Sequence, residues 1–227
     1  LEETTTFTLK AVRGAETVEV STTVEILSGV ADGWTLIDNF ESRDAAKVEG
    51  AIMDVNNTSI GGILRASSSH WVTGLIDDVA IWKRALSDDE VIGLNDDGVP
   101  TQLSEGLVAY WPLDEVQGDK TPDLINGYDL ELLNLTADDL VEGQNGNAFS
   151  FSNENNTLLS RVHDAADELP ANKHESFTIS MWSQVDGNGQ NDLRVFSEGN
   201  TANNTPLFNI GTHNGGASGA VDLYIRQ

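Results

Sequence analysis

Apolar and polar residues alternate along much of this chain with a period of two, which predicts β-strands. The first 27 residues contain two such runs, Phe7–Ala11 and Val18–Ile26, separated by the turn Arg13-Gly14-Ala15-Glu16. They predict a β-hairpin. Because an isolated hairpin is only marginally stable in water, we expect its strands to belong to a larger sheet.

Residues 28–58 have no clear pattern. Gly29, the pair Asp32-Gly33 and the pair Asp38-Asn39 interrupt the segment, as turn-forming residues do. We interpret it as a linker or a partial segment, with short strands expected around Trp34–Ile37 and Ile52–Val55.

The pattern becomes clear again in residues 59–98. A glycine-bearing strand is predicted at Ile60–Leu64, and Gly74–Trp82 is apolar on both faces, as a buried strand should be. Ser87, with Glu90 three residues later, forms a capping box that predicts a short helix. We expect a domain to end near Gly98 and Pro100.

Residues 104–227 contain a second series of strands. The turn signal Asn126-Gly127 is followed by alternation at Leu130 and Leu132. Short strands separated by clusters of Gly, Asn and Asp predict an all-β sandwich or barrel. The other predicted strands are Leu107–Leu113, Ala148–Ser152, Phe177–Val185, Leu193–Ser197, Leu207–Gly211 and Val221–Ile225.

Two blocks of this sequence resemble the laminin-G-like, concanavalin A-like family of large secreted bacterial proteins. The stretch from Gly74 to Glu90, GLIDDVAIWKRALSDDE, resembles the closing strand and capped helix of such a domain. Four further stretches resemble the opening strands of such a domain. They are Gly106–Glu115, Asp123–Leu130, Gly146–Phe151 and Phe177–Trp182. The resemblance implies an antiparallel jelly-roll β-sandwich with one short capped helix. Residues 1–27 are similar to the last two strands of an immunoglobulin-like domain.

The order of these blocks is informative, because a closing part (59–98) precedes an opening part (104–227). This order indicates tandem repeats, with each copy incomplete. Unfinished sandwiches expose strand edges, so we expect the two parts to complete one sheet, with Leu75–Trp82 paired to Leu107–Leu113. Since the chain begins at Leu1 rather than Met, we expect it to be a piece of a longer protein.

The strong acidity of the chain excludes some partners. Asp and Glu number 37 against 12 for Lys and Arg, a formal net charge of −25. Few basic side chains remain to neutralise phosphates, which argues against nucleic acid and anionic membranes. The chain has no cysteine for a disulfide or a thiolate metal site, and no apolar run is long enough for membrane insertion. The acidity itself indicates either solubility in salt or divalent-cation binding.

The family resemblance implies a calcium site that joins the two ends of one jelly roll. The matching residues are Asp123 and Asn126 in the opening loop, with Asp77 or Asp78 from the closing strand. Calcium prefers hard oxygen ligands of this kind. The alternative is that Asp123 and Asn126 only form a turn. Because strand residues alternate in direction, we expect Asp77 and Asp78 to point to opposite sides.

Other metal motifs are weaker. Asp186–Asp192 superficially resembles a calcium loop, but the twelfth position is Ser197 instead of Glu, so we interpret it as a hairpin loop. The four histidines, which show no metal-ligand spacing, are His70, His163, His174 and His213.

Catalytic machinery is not indicated. Glucanases that share this fold class carry a Glu-x-Asp-x-x-Glu pattern, which supplies two carboxylates about 5 Å apart. The chain has no such pattern, and the closest pair, Glu41 and Asp44, has the wrong spacing. No nucleophile elbow or phosphate-binding loop is present either. We therefore expect no enzyme activity.

Tryptophans can bind sugars by stacking. Trp82, Trp111 and Trp182 lie in apolar strands and are predicted to pack in the core. Trp71 follows a serine run and is the candidate ligand-binding residue.

We thus expect a non-catalytic binding module of an extracellular surface or adhesion protein, which recognises a glycan or protein ligand and is calcium-dependent. The alternatives are a structural spacer in a large exported protein and an accessory module of a polysaccharide-degrading enzyme.

Overall fold

The computed structural model describes residues 4–13, 16–25, 54–96, 98–185, 193–212 and 221–226. The strand predicted at Trp34–Ile37, the first half of the one predicted at Ile52–Val55 and the loop Asp186–Asp192 lie outside these residues, so those predictions stay open.

The predicted N-terminal hairpin is present. Strands β1 (Thr4–Arg13) and β2 (Glu16–Glu25) are antiparallel, and Arg13 pairs with Glu16 at the turn. Within the described residues these two strands pair only with each other. Residues 26–53 lie outside the described ranges, so the expected larger sheet stays a prediction for this part of the chain.

The remaining strands form a seven-stranded and a five-stranded sheet, both antiparallel. The larger contains β3 (Asn57–Ile60), β6 (Lys120–Thr121), β7 (Leu130–Leu133), β10 (Leu158–Val162), β12 (Leu193–Asn200), β13 (Asn203–Thr212) and β14 (Val221–Arg226). The smaller contains β4 (Gly74–Trp82), β5 (Leu107–Trp111), β8 (Leu140–Glu142), β9 (Asn147–Phe151) and β11 (Thr178–Val185).

One apolar core lies between the two sheets. It includes Ile60 and Phe196 from the larger sheet and Ile76, Val79 and Phe149 from the smaller one. Apolar side chains on the facing sides of two sheets exclude water together, which is the main driving force for this packing. The prediction of an all-β antiparallel sandwich with one short helix is confirmed.

The two sequence blocks share this sandwich. β4 pairs with β5 in antiparallel register, with Ala80 opposite Tyr110 and Ile81 opposite Ala109. β3 lies between β10 and β12 in the other sheet. The expected pairing of Leu75–Trp82 with Leu107–Leu113 is therefore present.

The capped helix is also confirmed. Helix α1 (Asp88–Asn95) begins after Ser87, whose hydroxyl accepts from the Glu90 N–H at 3.3 Å while the Glu90 carboxylate accepts from the Ser87 N–H at 2.8 Å. Arg84 forms an ion pair with Glu90 at 2.7 Å. Short 3₁₀ turns occur at Pro100–Leu103, Ala137–Asp139 and Ala171–Lys173. In the described ranges, no helix has the length and apolar character needed to cross a membrane.

The strands differ from the prediction in two respects. The strand expected at Ile60–Leu64 ends at Ile60, because Gly61 turns into the left-handed region at φ +84°. Strand β10 was not predicted, because Leu158 and Leu159 are both fully buried and the usual alternation is lost. The two shortest strands, β6 and β8, were also not predicted.

Candidate functional site

A polar row crosses the outer face of the seven-stranded sheet. One residue from each strand lies in direct cross-strand register, in the order Lys120, Glu131, Ser160, Ser59, Ser197, Asn209 and Tyr224. The adjacent row is apolar throughout, with members Leu132, Leu159, Ile60, Phe196, Ile210 and Leu223, all of which except the exposed Leu223 belong to the core or pack against it. Because strand residues alternate between faces, the polar row faces away from the core.

The loop of residues 61–72 lies across the middle of this row. At its ends, the Gly61 N–H donates to the Val195 carbonyl at 3.0 Å and the Arg194 N–H donates to the His70 carbonyl at 3.3 Å. Both contacts fix the loop to β12. Further along, Ser59 Oγ donates to the Gly62 carbonyl at 3.1 Å and accepts from the Leu64 N–H at 3.1 Å. The loop therefore covers the central serines.

Two side chains of the row at this covered position have polar atoms without a partner. Ser59, Ser197 and Asn209 have no exposed surface. Ser59 is satisfied by the loop, whereas Ser197 Oγ and both amide atoms of Asn209 have no hydrogen-bond partner. The Nε1 of Trp71, a half-buried residue of the same loop, is also buried without an acceptor. The structure thus places Trp71 beside Gly62, where a Cβ would lie 3.1 Å from its ring.

The predicted acid pair lies on the other sheet. On β4, Asp77 is opposite Trp182 and Ala80 is opposite Ser180, so Asp78 and Val79 together oppose one residue. This is a β-bulge, with Asp78 at φ +50°. The bulge interrupts the alternation. The expectation that Asp77 and Asp78 point to opposite sides is therefore wrong.

Both carboxylates instead contact the same turn. Asp77 Oδ2 accepts from the N–H groups of Gln144 and Asn145 at 2.7 and 3.1 Å. Asp78 Oδ2 accepts from Asn145 Nδ2 at 2.6 Å, and Asp78 Oδ1 accepts from the Tyr110 hydroxyl. Gly143 allows this approach, because a Cβ there would lie 2.5 Å from Asp77 Oδ2.

Burial controls the protonation of this pair. Burial, together with the neighbouring charge of Asp78, raises the pKa of Asp77 to about 7 against the opposing effect of the backbone N–H groups. Burial likewise raises the pKa of Asp78, and the hydrogen bonds from Tyr110 and Asn145 act in the opposite direction. Both carboxyl groups therefore hold protons more tightly than exposed aspartates.

Asp123 and Asn126 form a separate turn. Asp123 Oδ1 accepts from the N–H groups of Tyr110 and Ile125 at 2.8 and 3.2 Å, and Oδ2 accepts from those of Asn126 and Tyr128 at 2.9 and 3.0 Å. Asn126 Nδ2 donates to the Val108 carbonyl at 2.8 Å. This arrangement corresponds to the turn-forming alternative for these two residues.

The four residues predicted to bind calcium are thus divided between two places. Each carboxylate oxygen of Asp77, Asp78 and Asp123 already accepts a hydrogen bond, with the exception of Asp77 Oδ1. As arranged, they do not fit one shared calcium ion, which requires six to eight oxygens directed at it. Across the described ranges, no group of three or more His, Cys, Asp or Glu side chains could hold a metal. Calcium binding stays a prediction.

The other tryptophans differ in burial. Trp82 and Trp111 are fully buried, and their indole N–H groups donate to the carbonyls of Leu103 and Tyr128, both at 2.7 Å. Their predicted core role is confirmed. Trp182 is only half-buried.

One buried acid was missed from the sequence. Glu198 on β12 has no exposed surface, and its Oε1 accepts from the Ala171 N–H at 2.6 Å while Oε2 has no partner. Burial raises the pKa of Glu198 to about 8. The available signal was its position two residues after Phe196, on the same face of a strongly apolar strand.

Comparisons with protein-family models, with curated proteins and with solved structures found no match for this chain.

Proposed function

We propose that this chain is a non-catalytic binding module of an extracellular surface or adhesion protein, and that its ligand is a glycan bound on the outer face of the seven-stranded sheet. The observation that carries this proposal is the polar row, in which every strand contributes one hydrogen-bonding side chain.

The dimensions and chemistry of the row suit a sugar chain. Seven strands spaced by about 4.8 Å give a row about 29 Å long, enough for several sugar rings. Its side chains offer an ammonium, a carboxylate, hydroxyls, an amide and a phenol, which together donate to and accept from sugar hydroxyls. Tyr224 is 40% exposed at one end and can stack on the apolar face of a ring.

The polar row does not offer the pair of carboxylates that glycoside hydrolysis ordinarily uses. Glu131 is the single carboxylate among its seven members, whereas glycoside hydrolysis ordinarily requires a pair. Asp77 and Asp78, which are neighbours in the sequence, lie on the other sheet. Both are buried and accept hydrogen bonds from the 144–145 turn. These features support binding without catalysis.

The wider context of the proposal comes from the family resemblance. A laminin-G-like jelly roll in a large secreted protein implies extracellular adhesion, with calcium as the expected cofactor. The pairing of β4 with β5 supports this assignment, since it unites the closing and opening blocks in one sandwich. The competing proposals are a spacer domain and an accessory module of a polysaccharide-degrading enzyme.

A glycan array tests the proposal, with the protein applied once in calcium and once in chelator. Binding of a defined glycan is expected, and its loss in chelator would support the calcium prediction. Glu131→Ala and Tyr224→Ala should each weaken the binding, whereas Glu142→Ala, an exposed change on β8 of the other sheet, should not. If the protein binds no glycan on the array, the result would contradict the proposal and favour a structural spacer domain.

A further inference from the structure

We propose that the loop of residues 61–72 is a lid over the centre of the polar row, and that ligand hydroxyls bind beneath it to Trp71, Ser197 and Asn209. This inference rests on the proposed glycan-binding function and identifies a site within the row.

Ser197 and Asn209 carry buried polar atoms that have no hydrogen-bond partner. Buried polar side chains in folded proteins are nearly always hydrogen-bonded, and exceptions call for an explanation such as a ligand. Here Ser197 and Asn209 are directly opposite each other on β12 and β13. Both have no exposed surface, and neither has a partner for its side-chain polar atoms. A ligand that supplies donors and acceptors would satisfy them.

The chemistry of Trp71, Ser197 and Asn209 indicates the kind of ligand. Trp71 offers an indole N–H donor, Ser197 a hydroxyl, and Asn209 both a donor and an acceptor. None of the three is charged, so the set matches neither a metal ion nor a phosphate. It matches a neutral polyhydroxylated ligand, whose hydroxyls can each donate and accept.

The 61–72 loop is attached to the sheet by two kinds of hydrogen bond. Its ends are fixed to β12 through backbone hydrogen bonds at Gly61 and His70. Its middle is held by side-chain hydrogen bonds, from Leu64 N–H to Ser59 Oγ at 3.1 Å and from Ser67 N–H to Asn204 Oδ1 at 3.2 Å. Sugar hydroxyls can replace such contacts. Val72, the last residue of the loop, packs in the main core and anchors that end, whereas Ile63 is buried but belongs to neither apolar cluster, so the segment between Gly62 and Trp71 can lift without opening the core.

A single substitution separates a ligand-binding role of Asn209 from a structural one. Asn209→Val removes an unpartnered amide and introduces a strand-favouring residue of similar volume, so we expect a higher Tm together with at least a tenfold loss of glycan affinity. The matched control is Asn200→Val in the same sheet. Asn200 donates to the Asp54 carbonyl at 2.8 Å and accepts from the Ala202 N–H at 2.9 Å, so its loss should lower the Tm. A lower Tm or unchanged affinity for Asn209→Val would overturn the inference.

A reversible cross-link tests the lid directly, because the chain has no cysteine of its own. Ser67→Cys combined with Asn204→Cys joins the loop to β13 at the place where they already touch. The oxidised protein should lose glycan binding, and reduction should restore it. Equal binding in both states would contradict the lid while leaving the proposed function intact. No glycan binding by the unmodified protein would contradict both.

Discussion

Tyr110 and Asp78 are joined by a hydrogen bond from the tyrosine hydroxyl to the carboxylate, in the part of β4 that is bulged. The backbone N–H of Tyr110 donates at the same time to Asp123 at 2.8 Å. One residue of β5 therefore connects β4 to the turn that contains Asp123. The two sequence blocks are thus linked by side chains as well as by the β4–β5 ladder.

Tyr110→Phe should destabilise the fold. The change leaves Asp78 Oδ1 buried without its donor, which costs about 1–3 kcal/mol of unfolding free energy. Chemical denaturation measures this cost. Tyr224→Phe is the matched control, because that side chain is exposed and its change should stay within about 0.5 kcal/mol. Equal stability of the two variants would show that the Tyr110–Asp78 bond does not hold the blocks together.

Asp123→Ala should be more damaging. Its carboxylate accepts hydrogen bonds from four backbone N–H groups, three in the 125–128 turn and one from Tyr110 on β5. Bonds to a charged acceptor contribute about 1.5–3 kcal/mol each, and because water replaces some of them we expect a total loss of at least about 3 kcal/mol. Asp119→Ala, at an exposed position nearby, is the control. A loss no larger than that of the control would contradict the structural role of Asp123.

Glu198→Gln should stabilise the protein at neutral and mildly alkaline pH. Burial raises the folded-state pKa from 4.5 to about 8, so the stability associated with the protonated acid is fully present below pH 4.5 and is lost as the pH rises through 8. Each pKa unit corresponds to about 1.4 kcal/mol, and glutamine does not incur this loss.

Unfolding free energies measured from pH 4 to pH 9 check this expectation for Glu198. The difference between the variant and the wild type should grow with pH across this window. A constant difference would show that Glu198 ionises as freely in the folded chain as in the unfolded chain.

Much of the fold could be predicted from local pattern. The strand at Gly74–Trp82 and the helix after Ser87 follow from an apolar run and a capping box. The bulge at Asp78 could not be predicted, because the residues that stabilise it, Tyr110 and Asn145, are distant in the chain.

The polar row could not be predicted from the sequence for a similar reason. Its members lie between Ser59 and Tyr224, and only the cross-strand register brings them into line. Trp71 was found by its type and its serine-rich context. Ser197 and Asn209 were missed, because a Ser or Asn within a strand has no local feature that marks it as unpartnered.

Hydrogen–deuterium exchange, compared with and without the best glycan from the array, shows whether the glycan binds on this face. We expect ligand-dependent protection in β3, β12, β13 and the 61–72 loop, with β8 and β9 unchanged. Protection confined to the five-stranded sheet or to the 143–147 turn would contradict it.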